Sequence, residues 1–294
     1  MDNYSFNLAS PPRSVPWPVQ ASVLFGGFGS QFGWLFFGFG MIFVWAFGIF
    51  SLLNAAYFWF GPLETTTGTV AAVSATGASE NDVPVYANQF LFRVERLEDE
   101  YRGESYTTGQ QFAVGDSVTV EYRRDRPDIA RIQGTRAGTF SPWVFCFVGI
   151  FPAVGLAFIA FSLKSGLAGG QLLKHGQLTQ GKLISKEPTN TRINNQMVYK
   201  LTFEFTADNG LPYQAIARSH QPAKLEDEAQ EQILYNPANP KNAVLVDNLP
   251  GSPEIDEFGQ IYVANFGKSM LVLILPALVV MVHGGIFLGM LLRP

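Results

Sequence analysis

Three runs without a charged residue constrain this chain more than anything else in it: residues 33–60, 142–163 and 269–292. Each is long enough to cross about 30 Å of hydrocarbon, which takes roughly 20 helical residues. Polar residues bound every run: Glu64 follows the first beyond Pro62, Lys164 follows the second, and Lys268 and Arg293 bracket the third. Backbone groups find no partners in lipid, so all three are expected to be helical and to span a membrane. The first opens with "QFGWLFFGFGMIFVWAFGIF" (Gln31–Phe50). Its glycines would weaken a soluble helix, but small residues let helices approach closely in lipid. Trp17, Phe25, Phe28 and Trp34 precede this span, and Tyr57 and Trp59 close it, as expected of rings at the headgroup level. Residues 1–32 read as a polar, proline-stiffened leader without the basic start and apolar block of a secretory signal. Within it Ser22–Trp34 either lies along the interface or lengthens a tilted first helix.

Composition agrees with lipid-facing surface. Charged residues make up 15% of the chain, against about 25% in soluble domains. A net charge of −4 supplies no concentrated basic face, which excludes nucleic acid as the main partner. Cys146 is the single cysteine, so no internal disulfide can form.

The polar stretches between the runs, 62–140 and 172–250, match each other at an offset of 113 positions. Gly68-Thr-Val70 meets Gly181-Lys-Leu183, and Tyr86, Phe90 and Phe92 meet Tyr199, Phe203 and Phe205. Tyr122, Pro127, Ala130 and Ile132 in "VEYRRDRPDIARI" fall on Tyr235, Pro240, Ala243 and Leu245 in "ILYNPANPKNAVL". One gapless offset of this kind points to an internal duplication. Period-two alternation in "VYANQFLFRVE" and "VYKLTFEFTA" predicts strands. About five short strands per unit predict a small barrel or sandwich, with a proline turn before the last strand. The second unit replaces the glycine turn at Gly115-Asp116 with an acidic run, Ala223–Glu231, read as one helical turn or a solvated loop. The expected fold is therefore membrane α plus β: about three transmembrane helices and two small, duplicated all-β domains.

This pattern resembles the family called domain of unknown function 3592, whose members join spans to a small β domain that begins Gly-x-Val and ends near Tyr-x-x-x-x-Pro-x-x-Ala. The matching residues are Gly68, Val70, Tyr122, Pro127 and Ala130, then Gly181, Tyr235, Pro240 and Ala243 after the lead-in "LLKHGQLTQG". Leu183 stands where the pattern has valine. The resemblance implies a prokaryotic or eukaryotic membrane protein and no particular chemistry.

Candidate sites are few. His283 lies inside the third run; an ionisable group there is either functional or a neutral imidazole bonded to a neighbouring helix. Gly285 and Gly289 form a Gly-x-x-x-Gly pair suited to close helix packing. His175 and His220 have no neighbours at metal-ligand spacing, so no metal or cofactor is expected. Ser105 lacks the glycines of a nucleophile elbow, and "FGGFGSQFG" has no strand before it to make a dinucleotide fingerprint. Arg93–Glu104 is expected to be a solvated hairpin end. Arg123, Arg124, Arg126, Arg131 and Arg136 either touch anionic headgroups or decorate the β domain among Glu121, Asp125 and Asp128. Flanking charge leaves orientation open, and an odd number of crossings places the two β units on opposite membrane faces. The expectation is a multi-pass protein, bacterial inner membrane by its likeness. It is not an enzyme, and its β modules bind a protein partner or a second copy; the alternative is an oligomeric transport or channel component with His283 near a pore.

Overall fold

In the computed structural model residues 8–94, 99–256 and 258–292 are described. The charge-free runs are helical. The first comprises α2 (Phe28–Phe43), a π turn at Val44–Gly48 and α3 (Ile49–Phe60). The second comprises α4 (Trp143–Val148) and α5 (Ile150–His175), and the third is α6 (Phe266–Leu291). Among the described residues three segments are long and apolar enough to cross a membrane: Phe28–Phe47, Trp143–His175 and Phe266–Leu291.

Their ends differ from the expected ones for local reasons. Helix α5 runs past Lys164 through "KSGLAGGQLLKH", because a lysine is a good helix former and stops an apolar run without stopping a helix. Helix α6 starts at Phe266, where the Asn265 side chain accepts the Lys268 N–H at 3.0 Å as an N-cap. The leader holds a helix of its own, α1 (Trp17–Phe25). It ends at Gly26, where any Cβ would sit 2.5 Å from the Ser22 carbonyl oxygen. Ser22–Trp34 is thus divided between α1 and α2, so it does not lengthen the first helix as one continuous segment.

Two five-stranded antiparallel sheets share one strand order. The first contains β1 (Leu63–Glu80), β2 (Val83–Arg93), β3 (Glu100–Thr108), β4 (Ser117–Arg123) and β5 (Ala130–Ile132), in the order β3-β2-β1-β4-β5. The second contains β6 (Gln177–Ile193), β7 (Gln196–Thr206), β8 (Pro212–Ser219), β9 (Glu231–Asn236) and β10 (Asn239–Leu245), in the order β8-β7-β6-β9-β10. A two-stranded ladder joins β11 (Pro253–Ile255) to β12 (Ile261–Val263). A 3₁₀ turn at Pro222–Leu225 occupies the start of the acidic run.

The irregularities of the two sheets coincide as closely as their strands. Bulges interrupt β1 between Val70 and Ala72 and between Ala75 and Ser79; β6 is interrupted between Leu183 and Ser185 and between Pro188 and Arg192. Thr76 and Thr189 each donate a side-chain bond to a facing carbonyl, of Val85 and Val198. The first hairpin turns at Asn81-Asp82 (φ 50° and 64°) and the second at Asn194-Asn195 (φ 48° and 63°). Asn and Asp tolerate this left-handed backbone, which a two-residue turn of matching twist requires. Gly68 faces Phe92 across β2 as Gly181 faces Phe205 across β7. All of these positions are 113 apart. Strands β3 and β8 break the gapless offset: Gly103 faces Phe90 where Ala215 faces Phe203, a separation of 112.

By internal contacts the chain divides into two bodies. One is Gly38–Ala153 and contains the first sheet. Its core joins Val70, Phe90, Phe92, Val120, Tyr122 and Ile132, and a bridge between Tyr106 and Arg136 brings the β3 edge beside the chain that follows β5. The other body is Met1–Phe37 with Val154–Pro294 and contains the second sheet. Ile233 and Tyr235 enter its core with Phe203, Phe205 and Leu245, while Leu234 points to the opposite face. There it packs with Val19 and Val23 of α1, Leu172 and Leu173 of α5, and Ile261 of β12. Because both faces of β9 are covered, "ILY" is an unbroken apolar run rather than an alternating one.

Candidate functional site

A five-stranded sheet has two outer strands, yet here the longest open edges belong to the central strands. Strand β4 pairs with β1 only from Leu63 to Thr69. The turn before β4 extends that contact to Val70, which exchanges bonds of 2.9 and 2.8 Å with Asp116 and Gly115. From there to Glu80 the side of β1 away from β2 has no strand partner among the described residues. Likewise β9 pairs with β6 only from Gln177 to Gly181, leaving that side of β6 open as far as Ile193.

These two edges differ in chemistry. The second, "ISKEPTNTR" (Ile184–Arg192), carries Lys186, Glu187 and Arg192, and Pro188, which has no N–H to offer. Charge and proline are the ordinary protection of an exposed strand against pairing. The first, "AAVSATGAS" (Ala71–Ser79), has neither, and Ala72 and Ser74 are exposed. At its end Glu80 is held by Arg136 and by Thr108, whose hydroxyl donates at 2.8 Å. Burial pushes the Glu80 carboxyl up, but the bonds from Arg136 and Thr108 outweigh it, and its pKa lies below the usual value.

The residues singled out in the sequence are placed as follows. The tyrosines hold corresponding positions. Tyr122 and Tyr101 both pack on Phe92 at 5.7 Å between ring centroids, and Tyr235 and Tyr213 pack on Phe205 at 5.4 and 6.1 Å. The Tyr122 hydroxyl donates to Glu64 at 2.9 Å, and the Tyr235 hydroxyl to Asp208 at 2.7 Å. Pro127 lies in the turn between β4 and β5, whereas Pro240 lies one residue into β10, after a two-residue turn at Pro237-Ala238. His283 is buried, with its ring 6.4 Å from that of Phe37. At Gly285 and Gly289 no atom lies within 4 Å of a built Cβ, so this pair makes no close helix contact. His175 is exposed at the end of α5 and His220 is half-buried. No group of three metal-ligand side chains converges among the described residues.

The arginines pair with carboxylates of their own sheet: Arg123 with Asp125, Arg124 with Glu64, Arg126 with Asp128, Arg131 with Glu121 and Arg136 with Glu80. Arg131 also lies 4.4 Å above the Phe58 ring. Arg93 pairs with Glu100 at 3.6 Å, while residues 95–98 of that hairpin end lie outside the described residues, as does Arg293.

Three further features had no marker in the sequence. Arg13 is 6% exposed, and its guanidinium donates to the carbonyls of Ala9, Leu173 and Gly176, capping the end of α5; burial lowers its pKa. Asn88 and Ser105 face each other inside the first sheet, where Asn88 donates to Thr107 Oγ1 at 3.0 Å; Asn88 Oδ1 and Ser105 Oγ are buried without a protein partner. Leu201 and Ala217 occupy the same facing positions in the second sheet. Glu231 is 2% exposed, and burial, with Asp247, Asp227 and Glu228 adding, raises its pKa to about 7. No protein family, curated protein or solved structure matches this chain.

Proposed function

We propose that the chain is an integral membrane protein that carries two copies of one β module, each a small partly closed barrel, and that the first module docks a protein partner on the open edge of β1. The helix surfaces support lipid as solvent. Only 28, 17 and 11% of the most apolar windows of the three candidate spans are buried. Residues such as Phe161 (75% exposed), Ile274 and Met281 (67% exposed) stand outward. Each such side chain left in water would forgo about 1.5–3 kcal/mol of burial, and aqueous helices do not carry so many. Duplication is supported by the shared strand order and by two bulges, a turn and a tight glycine that recur 113 residues on.

The observation that carries the docking role is the chemical contrast between the two open edges. The β6 edge has charge and proline, and the β1 edge keeps its backbone groups accessible beside small uncharged side chains. An extended segment can add to such an edge by main-chain bonding. A photo-crosslinking residue at Ala72 should trap a protein adduct in native membranes, while the same residue at Ser185 should not. Ala72→Lys with Ser74→Lys should remove an adduct formed from Ala75. Equal crosslinking at both edges, or none at β1, would defeat the reading.

A further inference from the structure

Where α1 passes the last turns of α5, within the body of the second sheet, there is a cleft of about 380 Å³. Arg13, Gln20, Gln171 and Lys174 supply its polar wall, and Val23, Leu24 and Leu167 are part of its apolar one. Arg13 and Lys174 are neighbours, since the Arg13 N–H donates to the Lys174 carbonyl at 2.9 Å. No carboxylate among the described residues pairs with either cation. What opposes them is the C-terminal end of α5, equivalent to about half a negative charge. Two positive side chains exceed that, so the cleft is left positive. The apolar wall begins at Leu167, three residues beyond Lys164, where the apolar part of α5 ends. A free anion would use only the polar wall; an amphiphile with an anionic head uses both.

We propose that this cleft binds the phosphate-bearing head of an anionic phospholipid, the phosphate at the exposed Lys174, with the Arg13 guanidinium held behind it by the carbonyls of Ala9, Leu173 and Gly176, and the start of an acyl chain over Leu24 and Leu167. The assignment rests on the membrane reading above. It makes the α1–α5 junction a lipid-selective contact rather than a passive anchor.

The test uses the full chain in mild detergent, offered equimolar dioleoylphosphatidylglycerol and dioleoylphosphatidylcholine, with bound lipid counted by native mass spectrometry. One phosphatidylglycerol should be retained over phosphatidylcholine by about fivefold, the roughly 1 kcal/mol that one cation near an anionic head supplies. Lys174→Gln should cut that preference several-fold. Gly170→Phe should abolish it without a folding defect, because Gly170 lines the cleft and no atom lies within 4 Å of its built Cβ. Inorganic phosphate should leave retention unchanged; displacement of the lipid by phosphate alone would make this a free-anion site and overturn the lipid assignment. Equal retention of the two lipids, or undiminished preference in Gly170→Phe, would also overturn it. Solubility of the chain without detergent, scored before any lipid is added, would instead defeat the membrane reading.

Discussion

Replacing Gly68 by alanine tests whether the two sheets are variants of one module. The new methyl carbon would stand 2.7 Å from Val120 Cγ2, 2.9 Å from the Leu91 carbonyl oxygen and 3.3 Å from Phe92 Cβ. Carbon atoms prefer 3.5–4.0 Å, so something must move. The Leu91 oxygen belongs to the β1–β2 ladder, and Val120 is β-branched and stiff about χ1. Neither retreats cheaply. The cost expected for overpacking at such a site is about 2–3 kcal/mol. Gly181→Ala in the second sheet meets the corresponding neighbours, Ile233 Cδ1 at 2.2 Å and the Glu204 oxygen at 3.3 Å. Here the nearest atom ends a side chain that can turn about χ2, and the carbonyl is farther away. That change should cost less, about 1–2 kcal/mol. Hydrogen exchange of the β2 and β4 amides, read by mass spectrometry in detergent, should accelerate about 30- to 150-fold in Gly68→Ala, since each 1.4 kcal/mol is tenfold. Val120→Ala should lose less stability in the Gly68→Ala background than alone, a coupling of roughly 1 kcal/mol. Additive losses, or wild-type exchange in Gly68→Ala, would refute the close-approach argument.

Glu231→Gln should stabilise the second sheet at pH 8 but not at pH 4. The folded carboxyl titrates near 7 against an ordinary 4.5, so the folded state holds its proton longer. Stability is then full below about pH 4.5 and falls as pH rises toward 7. The shift sets an upper bound of about 3 kcal/mol, and solvent reach near the surface reduces the expected gain to about 1–2 kcal/mol; pulse proteolysis at the two pH values measures it, and a gain at pH 4 as large as at pH 8 contradicts the cause. Asn88→Leu with Ser105→Ala copies the Leu201–Ala217 pair into the first sheet. It should slow β2 and β3 exchange by about tenfold, because it removes two buried acceptors without protein partners; faster exchange would show that those groups are satisfied. Gly289→Leu should leave thermal unfolding unchanged, since its Cβ would meet open space, and a large loss would place that helix face against a neighbour.

What the sequence disclosed followed from periodicity and charge. The apolar runs, the alternation in Phe90–Val94 and Leu201–Phe205, and the matching spacing of Gly68 and Tyr122 with Gly181 and Tyr235 were all readable, because each depends on residue type at fixed spacing. Helix ends were not, since Lys164 marks an apolar boundary and not a backbone one. Asn81-Asp82 and Asn194-Asn195 carried a usable hairpin signal that only the left-handed φ values made plain. The open β1 edge was illegible because it depends on where β4 stops pairing. The burial of Arg13 comes from its packing against the end of α5, which no local pattern records. Pro240 fell on the repeat alignment but not in the expected turn, since two residues at Pro237-Ala238 already reverse the chain.

If hydrocarbon solvates the three apolar helices, labels on their outward faces will report it. With Cys146 changed to serine, the only cysteine is gone. A single new cysteine at Phe161, Leu278 or Leu35, and a control at Val114 in the turn before β4, can then each carry a fluorescent label. In liposomes, phospholipids brominated on the acyl chain should strongly quench the three helix labels and leave the Val114 label bright. Helix labels as bright as the control, or quenched instead by aqueous iodide, would show that these faces do not meet lipid.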